Sequence, residues 1–401
     1  MINVMFVETS ITGGGSAESL YQHLVAIDRT KFRPILVCLN DIRLVQRVEG
    51  LDIPVYVLTD WFLSIDAPRF VRKTAAKLRG TGLRFNRLMS SSYLHIARLT
   101  HLSLVRELAR ITRKEMIDIV HLNVNIYRDL FGLFLKESNR IRFVSHLRSA
   151  WPGNRGEFNA RMAKMANSRI SAFVANSRFT AEYWWDHGID AEKTTIIHNG
   201  VSLSDAPSLD VRREWDIPNE TTFVVACIVP LRNTKKVDEF LLRGFARFLE
   251  RYNNAVLLVV GEGPMKNILE RKTRDLNIES QVIFTGFQQN ALGILADVDV
   301  AVEAGTYDTL SRVALETMGA GTPLVANDVG AIRELVNHEE NGLLIRYGDE
   351  EEFANALHRF VNDEQLRTRL AKNGYMTISE QFSIDRYASK IEDIYLSILG
   401  K

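Results

Sequence analysis

Short apolar runs rich in β-branched residues alternate with amphipathic stretches along the whole sequence. The first half contains NVMFV, PILVCL, IDIVHL, IRFVSH, ISAFVA and TTIIHN, and the second half contains TFVVACIV, AVLLVVG, QVIFTG, VDVAV, PLVAN and GLLI. Continuous apolar strands separated by helices are typical of parallel sheets that are covered on both faces. The sequence therefore predicts an α/β fold.

The alternating pattern occurs twice, on either side of a polar stretch at Ser202–Glu220. A chain of 401 residues is also long for a single hydrophobic core. We therefore predict two doubly wound, Rossmann-like domains at 1–201 and 221–381, a linker at 202–220 and a terminal helix at 382–401. Ligands of such sheets bind at the carboxyl ends of the strands, so both domains should present their sites to a shared cleft.

The net charge of +1 hides an uneven distribution along the chain. Residues 1–200 carry 28 Lys and Arg against 18 Asp and Glu, whereas residues 201–401 carry 22 against 31, which favours two domains with different partners. Nine cations and no acid lie between Ala67 and Arg106. They fit contact with an anionic membrane surface, a solvated basic face or a cradle for an acidic acceptor. A nucleic-acid partner is not expected, because no recognised nucleic-acid module accompanies them.

The N-terminus enters an apolar strand without the pattern of a signal peptide, and no apolar run approaches the length of a membrane span. Cys38 and Cys227 lie in apolar runs and should be buried and reduced. We therefore expect a cytoplasmic protein, or one that is attached peripherally to the inner face of the membrane.

A glycine loop follows the first predicted strand and opens a helix. Gly13, Gly14 and Gly15 would let a ligand approach the backbone, and the free N–H groups of the helix suit a phosphate. A flexible turn explains the same residues equally well. A dinucleotide fingerprint is disfavoured, since the loop does not fit the GxGxxG pattern.

Two histidines in the first half each end a predicted strand. His121 and His146 would lie at the carboxyl edge of the sheet, and Arg148 could meet an anionic group there. His121 and Arg148 are the candidate contacts on the acceptor side. A lone histidine is more often structural than functional, so both interpretations remain open.

In the second half, cations follow the first strand of the domain. Arg232 and Lys235 could clamp a diphosphate, or they could belong to a solvated basic loop. Gly261 lies in a turn after the next strand that leaves little room for side chains. Phe284 and Phe287 lie where a nucleotide base could rest against the backbone.

Two carboxylates mark the segment between the strands VDVAV and PLVAN. Asp308 in a loop and Glu316 on a helix are eight residues apart, which corresponds to at most roughly 12 Å along a helix. Hydrolytic carboxylate pairs lie about 5 to 9.5 Å apart, so we interpret these acids as contacts to different parts of one extended ligand. Leu310, Ser311 and Arg312 form the first turn of the helix, whose N–H groups suit a phosphate.

In combination and in this order, the motifs resemble those of retaining glycosyltransferases of the GT-B fold, family 4. The likeness rests on LLVVGEGP, VIFTGF, the Asp308–Gly321 block, TPLVANDVGAIRELV and NGLLI, and more weakly on GGGS, DIVH, VSH, VANS and IIHNGV. It implies that the first domain binds an acceptor, that the second binds a nucleotide-sugar donor, and that the terminal helix packs back on the first domain.

The resemblance also implies individual roles. Glu316 would bind the ribose of the donor, Asp308 would hold hydroxyls of the transferred sugar, and the backbone from Leu310 to Arg312 would meet the diphosphate or the sugar. Lys235 would contact phosphate, and His146 would point towards the reacting sugar.

Three positions depart from the pattern of the family. The first acid is Asp308 rather than Glu, one methylene shorter. Pro230 stands where the family has Arg, and only Arg232 could replace that cation. The usual Gly-Phe-Gly is replaced by Thr309-Leu310-Ser311.

The activity implied by the resemblance is transfer of a hexose-type unit from a UDP-, GDP- or ADP-sugar to a hydroxyl of a glycan, lipid-linked or other acceptor, with retention of configuration. No Asp-x-Asp signature stands at a suitable strand end, so no metal requirement is expected. We expect no cofactor either. Two alternatives stay open, namely another enzyme on this fold, such as a sugar-nucleotide epimerase or a phosphorylase, and a non-catalytic sugar-nucleotide binding protein.

Overall fold

The computed structural model describes residues 1–10, 14–39, 42–58, 102–124, 135, 140–150, 157–203, 209–217, 222–232 and 237–401. The chain divides into two compact units. Unit 1 comprises Met1–Ile197 and Tyr387–Lys401, and unit 2 comprises His198–Arg386. Each unit is built on a parallel sheet, which confirms the predicted α/β class with two Rossmann-like domains.

The described part of unit 1 contains a seven-stranded parallel sheet in the order β3-β2-β1-β4-β5-β6-β7. The strands are β1 Ile2–Glu8, β2 Phe32–Leu39, β3 Val55–Leu58, β4 Ile119–Leu122, β5 Arg142–Leu147, β6 Ala172–Ala175 and β7 Thr194–Ile196. The helices are α1 Gly15–Ala26, α2 Ile42–Val48, α3 Leu102–Lys114, α4 Glu157–Arg169 and α5 Arg178–Asp186, with a 3₁₀ turn at Glu49–Leu51. The strand order reverses between β1 and β4, and such a reversal opens a crevice at the carboxyl edge of the sheet.

The described part of unit 2 contains a six-stranded parallel sheet in the order β10-β9-β8-β11-β12-β13. The strands are β8 Phe223–Ile228, β9 Ala255–Val260, β10 Val282–Gly286, β11 Val300–Glu303, β12 Leu324–Asn327 and β13 Leu343–Ile345. The helices are α6 Val211–Glu214, α7 Phe240–Leu249, α8 Lys266–Asp275, α9 Ala291–Leu295, α10 Arg312–Gly319, α11 Glu350–Asn362 and α12 Glu364–Gln381, with 3₁₀ turns at Glu279–Gln281 and Ile332–Glu334. Here the strand order reverses between β8 and β11.

Burial explains which strands the sequence pattern predicts. Every residue of β4, β6, β9 and β12 is buried, as expected for strands covered on both faces. The pattern does not predict Val55–Leu58, an edge strand whose residues are half-buried or exposed. An edge strand needs no continuous apolar run, so this signal is absent there.

The boundary between the units lies at Ile197 and His198, ahead of the predicted linker at 202–220, which falls within unit 2. Val201 exchanges backbone hydrogen bonds with Phe382 and Ile384, each at 3.0 Å. The N–H of Val211 donates to the carboxylate of Asp297 at 2.9 Å. The described residues that follow the boundary are therefore hydrogen-bonded to other parts of unit 2.

The terminal helix α13, Ile384–Leu399, belongs to unit 1 from Tyr387 onwards, which confirms its predicted return to the N-terminal domain. The Tyr395 ring packs edge-on against Phe32 at a centroid distance of 5.6 Å. The Glu392 carboxylate accepts the N–H of Asp28 at 2.8 Å. This helix therefore covers the part of unit 1 that contains α1 and the start of β2.

Cys38 and Cys227 are buried and unbridged, as predicted. Within the described ranges, no helix is both long and apolar enough to cross a membrane. Most of the basic segment at 67–106, to which we assigned possible membrane contact, lies outside the described residues.

Candidate functional site

The carboxyl edge of the unit 2 sheet holds most of the predicted donor residues. The loops after β8 and β11 leave the sheet where the strand order reverses, which is the usual ligand position in such sheets. Arg232 lies in the first loop and is exposed, and Asp308 lies in the second. Lys235 falls outside the described residues.

The carboxylate of Asp308 is turned onto its own loop. Its Oδ1 accepts the N–H groups of Thr309 at 2.7 Å and Leu310 at 3.3 Å. The carbonyl oxygen of Asp308 accepts the N–H of Ala331 at 3.3 Å. The loop after β12 is therefore packed directly on the loop after β11.

Helix α10 begins with a capped first turn. Ser311 is its N-cap, and the Oγ atom accepts the N–H of Ala314 at 3.2 Å. One turn apart on this helix, the Nε atom of Arg312 and the Oε1 atom of Glu316 are separated by 2.7 Å, with side chains only 11% and 14% exposed. The structure thus brings the predicted Ser311, Arg312 and Glu316 together on one short helix, and Leu310 is buried just before it.

Gly261 directly follows β9 and contacts the residue after β8 and the last residue of β10. Its φ of +147° lies in the region that favours glycine, and a Cβ there would lie 2.0 Å from the carbonyl oxygen of Val229. Its N–H donates to Gly286 at 2.8 Å. Of the two predicted aromatic contacts, Phe284 is partly buried against the hydrophobic core, whereas Phe287 is 54% exposed.

The carboxyl edge of the unit 1 sheet carries a buried polar chain that runs through Glu8, Asn123, Arg148 and Tyr387. The side-chain amide of Asn123 donates to the Glu8 carboxylate. The guanidinium of Arg148 donates to the carbonyl and the side-chain oxygen of Asn123 at 2.9 to 3.2 Å, and to the hydroxyl of Tyr387 at 3.0 Å. Arg148 is only 8% exposed. Its guanidinium therefore connects α13 to the sheet.

The glycine loop lies next to the buried carboxylate of Glu8. Gly13 is outside the described residues, Gly14 is the N-cap of α1 and Gly15 begins the helix. A Cβ on Gly14 or Gly15 would meet no described atom within 4 Å. The Glu8 carboxylate accepts the hydroxyl of Ser16 at 3.5 Å. This negative charge at the start of α1 favours a ligand hydroxyl over a phosphate at the loop.

His23, His121 and His146 form a buried aromatic cluster under α13. His121 stacks on His146 at a centroid distance of 5.5 Å, and its Nδ1 atom is 2.5 Å from the hydroxyl of Tyr395. His146 also stacks on Tyr387 at 6.2 Å. It is fully buried, and neither ring nitrogen has a hydrogen-bond partner among the described residues.

Burial fixes the charge state of this cluster. Burial, reinforced by the nearby Arg148 guanidinium, lowers the pKa of His23 to about 3. Burial is also the main reason why the pKa of His121 and that of His146 lie well below the usual value. The three rings are therefore neutral at physiological pH, and the structure places His146 inside the core of unit 1 rather than at its surface.

Sequence reasoning missed several polar residues that shape both sheet edges, namely Glu8, Asn123, Glu303, Tyr387 and Tyr395. Glu8, Asn123 and Glu303 each end or directly follow an apolar strand, which was the available signal. Among the described residues, no group of three or more His, Cys, Asp or Glu side chains could hold a metal ion.

Two family models match consecutive parts of the chain. The model described as Glycosyltransferase Family 4 matches residues 13–205, and the model described as Glycosyl transferases group 1 matches residues 212–377. Together they cover the unit 2 sheet and the unit 1 sheet from β2 onwards.

Individual proteins are similar as well. The chain is 28% identical over 213 residues to the uncharacterized glycosyltransferase MJ1607 of Methanocaldococcus jannaschii, a match that covers 51% of this chain and 54% of that protein. It is 30% identical over 249 residues to the lipopolysaccharide core biosynthesis glycosyltransferase LpsE of Rhizobium meliloti, covering 61% of this chain and 68% of LpsE. The chain thus spans about half the length of the first relative and about two thirds of the second.

The fold is shared with a solved structure. The crystal structure of Anabaena Alr3699/HepE in complex with UDP-glucose aligns with 99% of this chain and 100% of that chain, with a TM-score of 0.79 and 21% identity. The family models, the LpsE match and the two parallel sheets together show that this protein belongs to the group 1, family 4 glycosyltransferases of the GT-B fold.

Proposed function

We propose that the protein transfers a hexose-type sugar from a nucleoside-diphosphate sugar to a hydroxyl of a glycan or lipid-linked acceptor, with retention of anomeric configuration and without a metal ion or cofactor. The observation that carries the proposal is the arrangement of Asp308, Glu316 and the first turn of α10 at the point where the strand order of unit 2 reverses. The relative LpsE is named for lipopolysaccharide core biosynthesis, which supports a glycan acceptor on lipid.

Each part of the donor has a suitable partner in this arrangement. The Glu316 carboxylate can accept the two hydroxyls of a ribose, and the N-terminus of α10 suits the diphosphate. Asp308 would turn from its own backbone N–H groups to the hydroxyls of the sugar. UDP-glucose is bound in the Anabaena HepE structure, which makes a UDP-sugar the first donor to test.

In the proposed reaction, negative charge grows on the leaving diphosphate while positive charge grows on the sugar ring. Arg232, Lys235 and the N-terminus of α10 would stabilise the diphosphate by electrostatic attraction. The acceptor hydroxyl would attack from the face that the diphosphate leaves, and the leaving phosphate would take its proton. The predicted role of His146 requires the ring to leave the core, so we assign it no step.

The experiment is an acceptor-dependent assay with UDP-, GDP- and ADP-sugars, comparing wild type with Glu316→Gln. We expect nucleoside diphosphate to be released only when an acceptor is present. Because a hydrogen bond to a charged group contributes about 1.5–3 kcal/mol, Glu316→Gln should raise the donor KM by roughly 10- to 150-fold. The anomeric configuration of the product, followed by NMR, tests retention, and activity should persist in excess chelator.

The matched control is Glu351→Gln in the same unit. Glu351 pairs with Arg251 at 2.5 Å, and both side chains are more than half exposed. Its loss should leave the donor KM unchanged. An altered sugar nucleotide formed without acceptor would indicate an epimerase, and nucleotide binding without turnover would indicate a binding protein. Either result would refute the proposed transfer.

A further inference from the structure

Glu303 and Ser311 connect the two ends of the loop that follows β11. Glu303 is the last residue of the strand, and Ser311 is the N-cap of α10. One carboxylate oxygen of Glu303 accepts the N–H of Gly305 at 3.0 Å, and the other accepts the hydroxyl of Ser311. The Ser311 oxygen in turn accepts the N–H of Ala314. A continuous chain of hydrogen bonds therefore runs from the strand to the first turn of the helix.

The serine of this pair is enclosed. Ser311 is 2% exposed and the adjacent Leu310 is 4% exposed. The hydroxyl of Ser311 stands at a position where the family pattern has glycine, yet it is directed onto Glu303 and the helix backbone rather than left for a ligand. The loop residues 304–310 between the two side chains include Asp308.

We propose that Glu303 and Ser311 are positioning residues, whose hydrogen bond holds the backbone of loop 304–310, which carries Asp308, and the first turn of α10 preorganised for the nucleotide-sugar donor. This inference rests on the proposed function of the site. A hydroxyl that donates to a carboxylate makes a strong, charge-assisted hydrogen bond. Holding a loop in its bound conformation lowers the cost of ordering it on binding.

The charge of Glu303 and its hydrogen bonds to the loop have opposite expected effects on binding of the donor diphosphate. Its carboxylate lies behind a helix N-terminus that we expect to face a diphosphate, so removal of the charge alone would strengthen binding of the anion. Loss of the hydrogen bonds that hold the loop would weaken binding. Glu303→Gln keeps the size of the side chain but leaves one oxygen to accept two donors, and therefore separates the two effects.

The experiment compares wild type with Glu303→Gln, Ser311→Ala, the double variant and Ser311→Thr, which retains a hydroxyl. Ser177→Ala is the matched control, because Ser177 is the buried N-cap of α5 in unit 1 and accepts the N–H of Thr180 at 3.0 Å. The readouts are the donor KM and kcat, the dissociation constants of UDP, GDP and ADP, and amide hydrogen exchange of residues 305–310.

We expect Glu303→Gln and Ser311→Ala each to raise the donor KM by about tenfold, with a smaller change in kcat, as the loss of one charge-assisted hydrogen bond implies. The donor KM of the double variant should exceed the higher of the two single-variant values by no more than about twofold, since the two substitutions disrupt the same interaction. Amide hydrogen exchange of residues 305–310 should be faster in Glu303→Gln and in Ser311→Ala than in wild type. Ser311→Thr should keep the donor KM of wild type. Ser177→Ala should lower thermal stability and leave the donor KM unchanged.

The inference is overturned if Glu303→Gln binds nucleoside diphosphate more tightly, or if Ser311→Ala loses only stability, as Ser177→Ala does. Failure of the proposed function gives a different result, in which wild type binds none of the three nucleotides. In that case amide hydrogen exchange still tests whether Glu303 and Ser311 position the loop. Faster exchange of residues 305–310 supports loop positioning by the pair, and unchanged exchange refutes it.

Discussion

At the scale of single residues, Gly330 determines where Asp308 lies. Gly330 has a φ of +58°, and a Cβ there would lie 1.9 Å from the carbonyl oxygen of Asp308. Any side chain at this position would displace the loop that carries the predicted sugar-binding acid. The glycine is therefore required both by its backbone conformation and by the close approach of two loops.

Gly330→Ala and Gly321→Ala separate these two requirements. Gly321 has a φ of +72°, but a Cβ there would meet no described atom within 4 Å. Gly321→Ala should cost about 1–2 kcal/mol of unfolding free energy from backbone strain alone. Gly330→Ala should cost more and should also raise the donor KM, because Asp308 must move. Urea unfolding and donor kinetics test this, and equal effects of the two substitutions on both would contradict it.

The sequence located some site residues but not their environments. The spacing of Asp308 and Glu316 predicted a loop and a helix, and the structure has both. Burial of His146 could not be predicted, since the α13 residues that cover it come some 240 positions later in the chain. The hydrogen bond between Glu303 and Ser311 was missed because a strand-end carboxylate carries no signal for the partner that it faces.

At the scale of elements, α13 completes the core of unit 1 with two tyrosines. Tyr387 meets Arg148, and Tyr395 meets the Nδ1 atom of His121. Both tyrosines are at least 97% buried, so their hydroxyls satisfy polar groups that have no access to water. The helix is thus held by specific polar contacts as well as by apolar burial.

Tyr395→Phe should destabilise the protein through this contact alone. The substitution keeps the ring against Phe32 but leaves the Nδ1 atom of His121 without its partner. A buried polar atom deprived of its hydrogen bond costs about 1–3 kcal/mol. Tyr375→Phe on α12 is the control, because Tyr375 is 44% exposed and its change should be nearly neutral. Equal unfolding free energies for the two variants would contradict the prediction.

At the scale of the whole molecule, the three neutral histidines link stability to pH. Their pKa values are lowered in the folded protein, with that of His23 at about 3, against an ordinary value of 6.5. Well above pH 6.5 the three rings are neutral in both states, so they do not make the stability depend on pH. As the pH falls below 6.5, the unfolded chain binds protons that the folded core refuses, so stability declines towards pH 3.

His146→Phe should weaken this acid sensitivity. Each buried histidine contributes a slope of up to about 1.4 kcal/mol per pH unit, and Phe keeps a ring against His121 and Tyr387. We expect a smaller loss of unfolding free energy between pH 7 and pH 5 for the variant than for wild type, measured by urea titration. If the loss of unfolding free energy between pH 7 and pH 5 is the same in the variant and in wild type, His146 does not contribute to the acid sensitivity.

Unit 1 is assembled from the first and the last parts of the chain, and this has a consequence for biosynthesis. The 189 residues of His198–Arg386 must be translated before Tyr387 and Tyr395 exist, a delay of roughly 10–40 s at about 5–20 residues per second. Unit 2 is continuous in sequence and can complete its core first. Nascent chains stalled after residue 386 and extruded from the ribosome should therefore resist protease in unit 2 while unit 1 is still cleaved. The domain that is synthesised first is the last to finish folding.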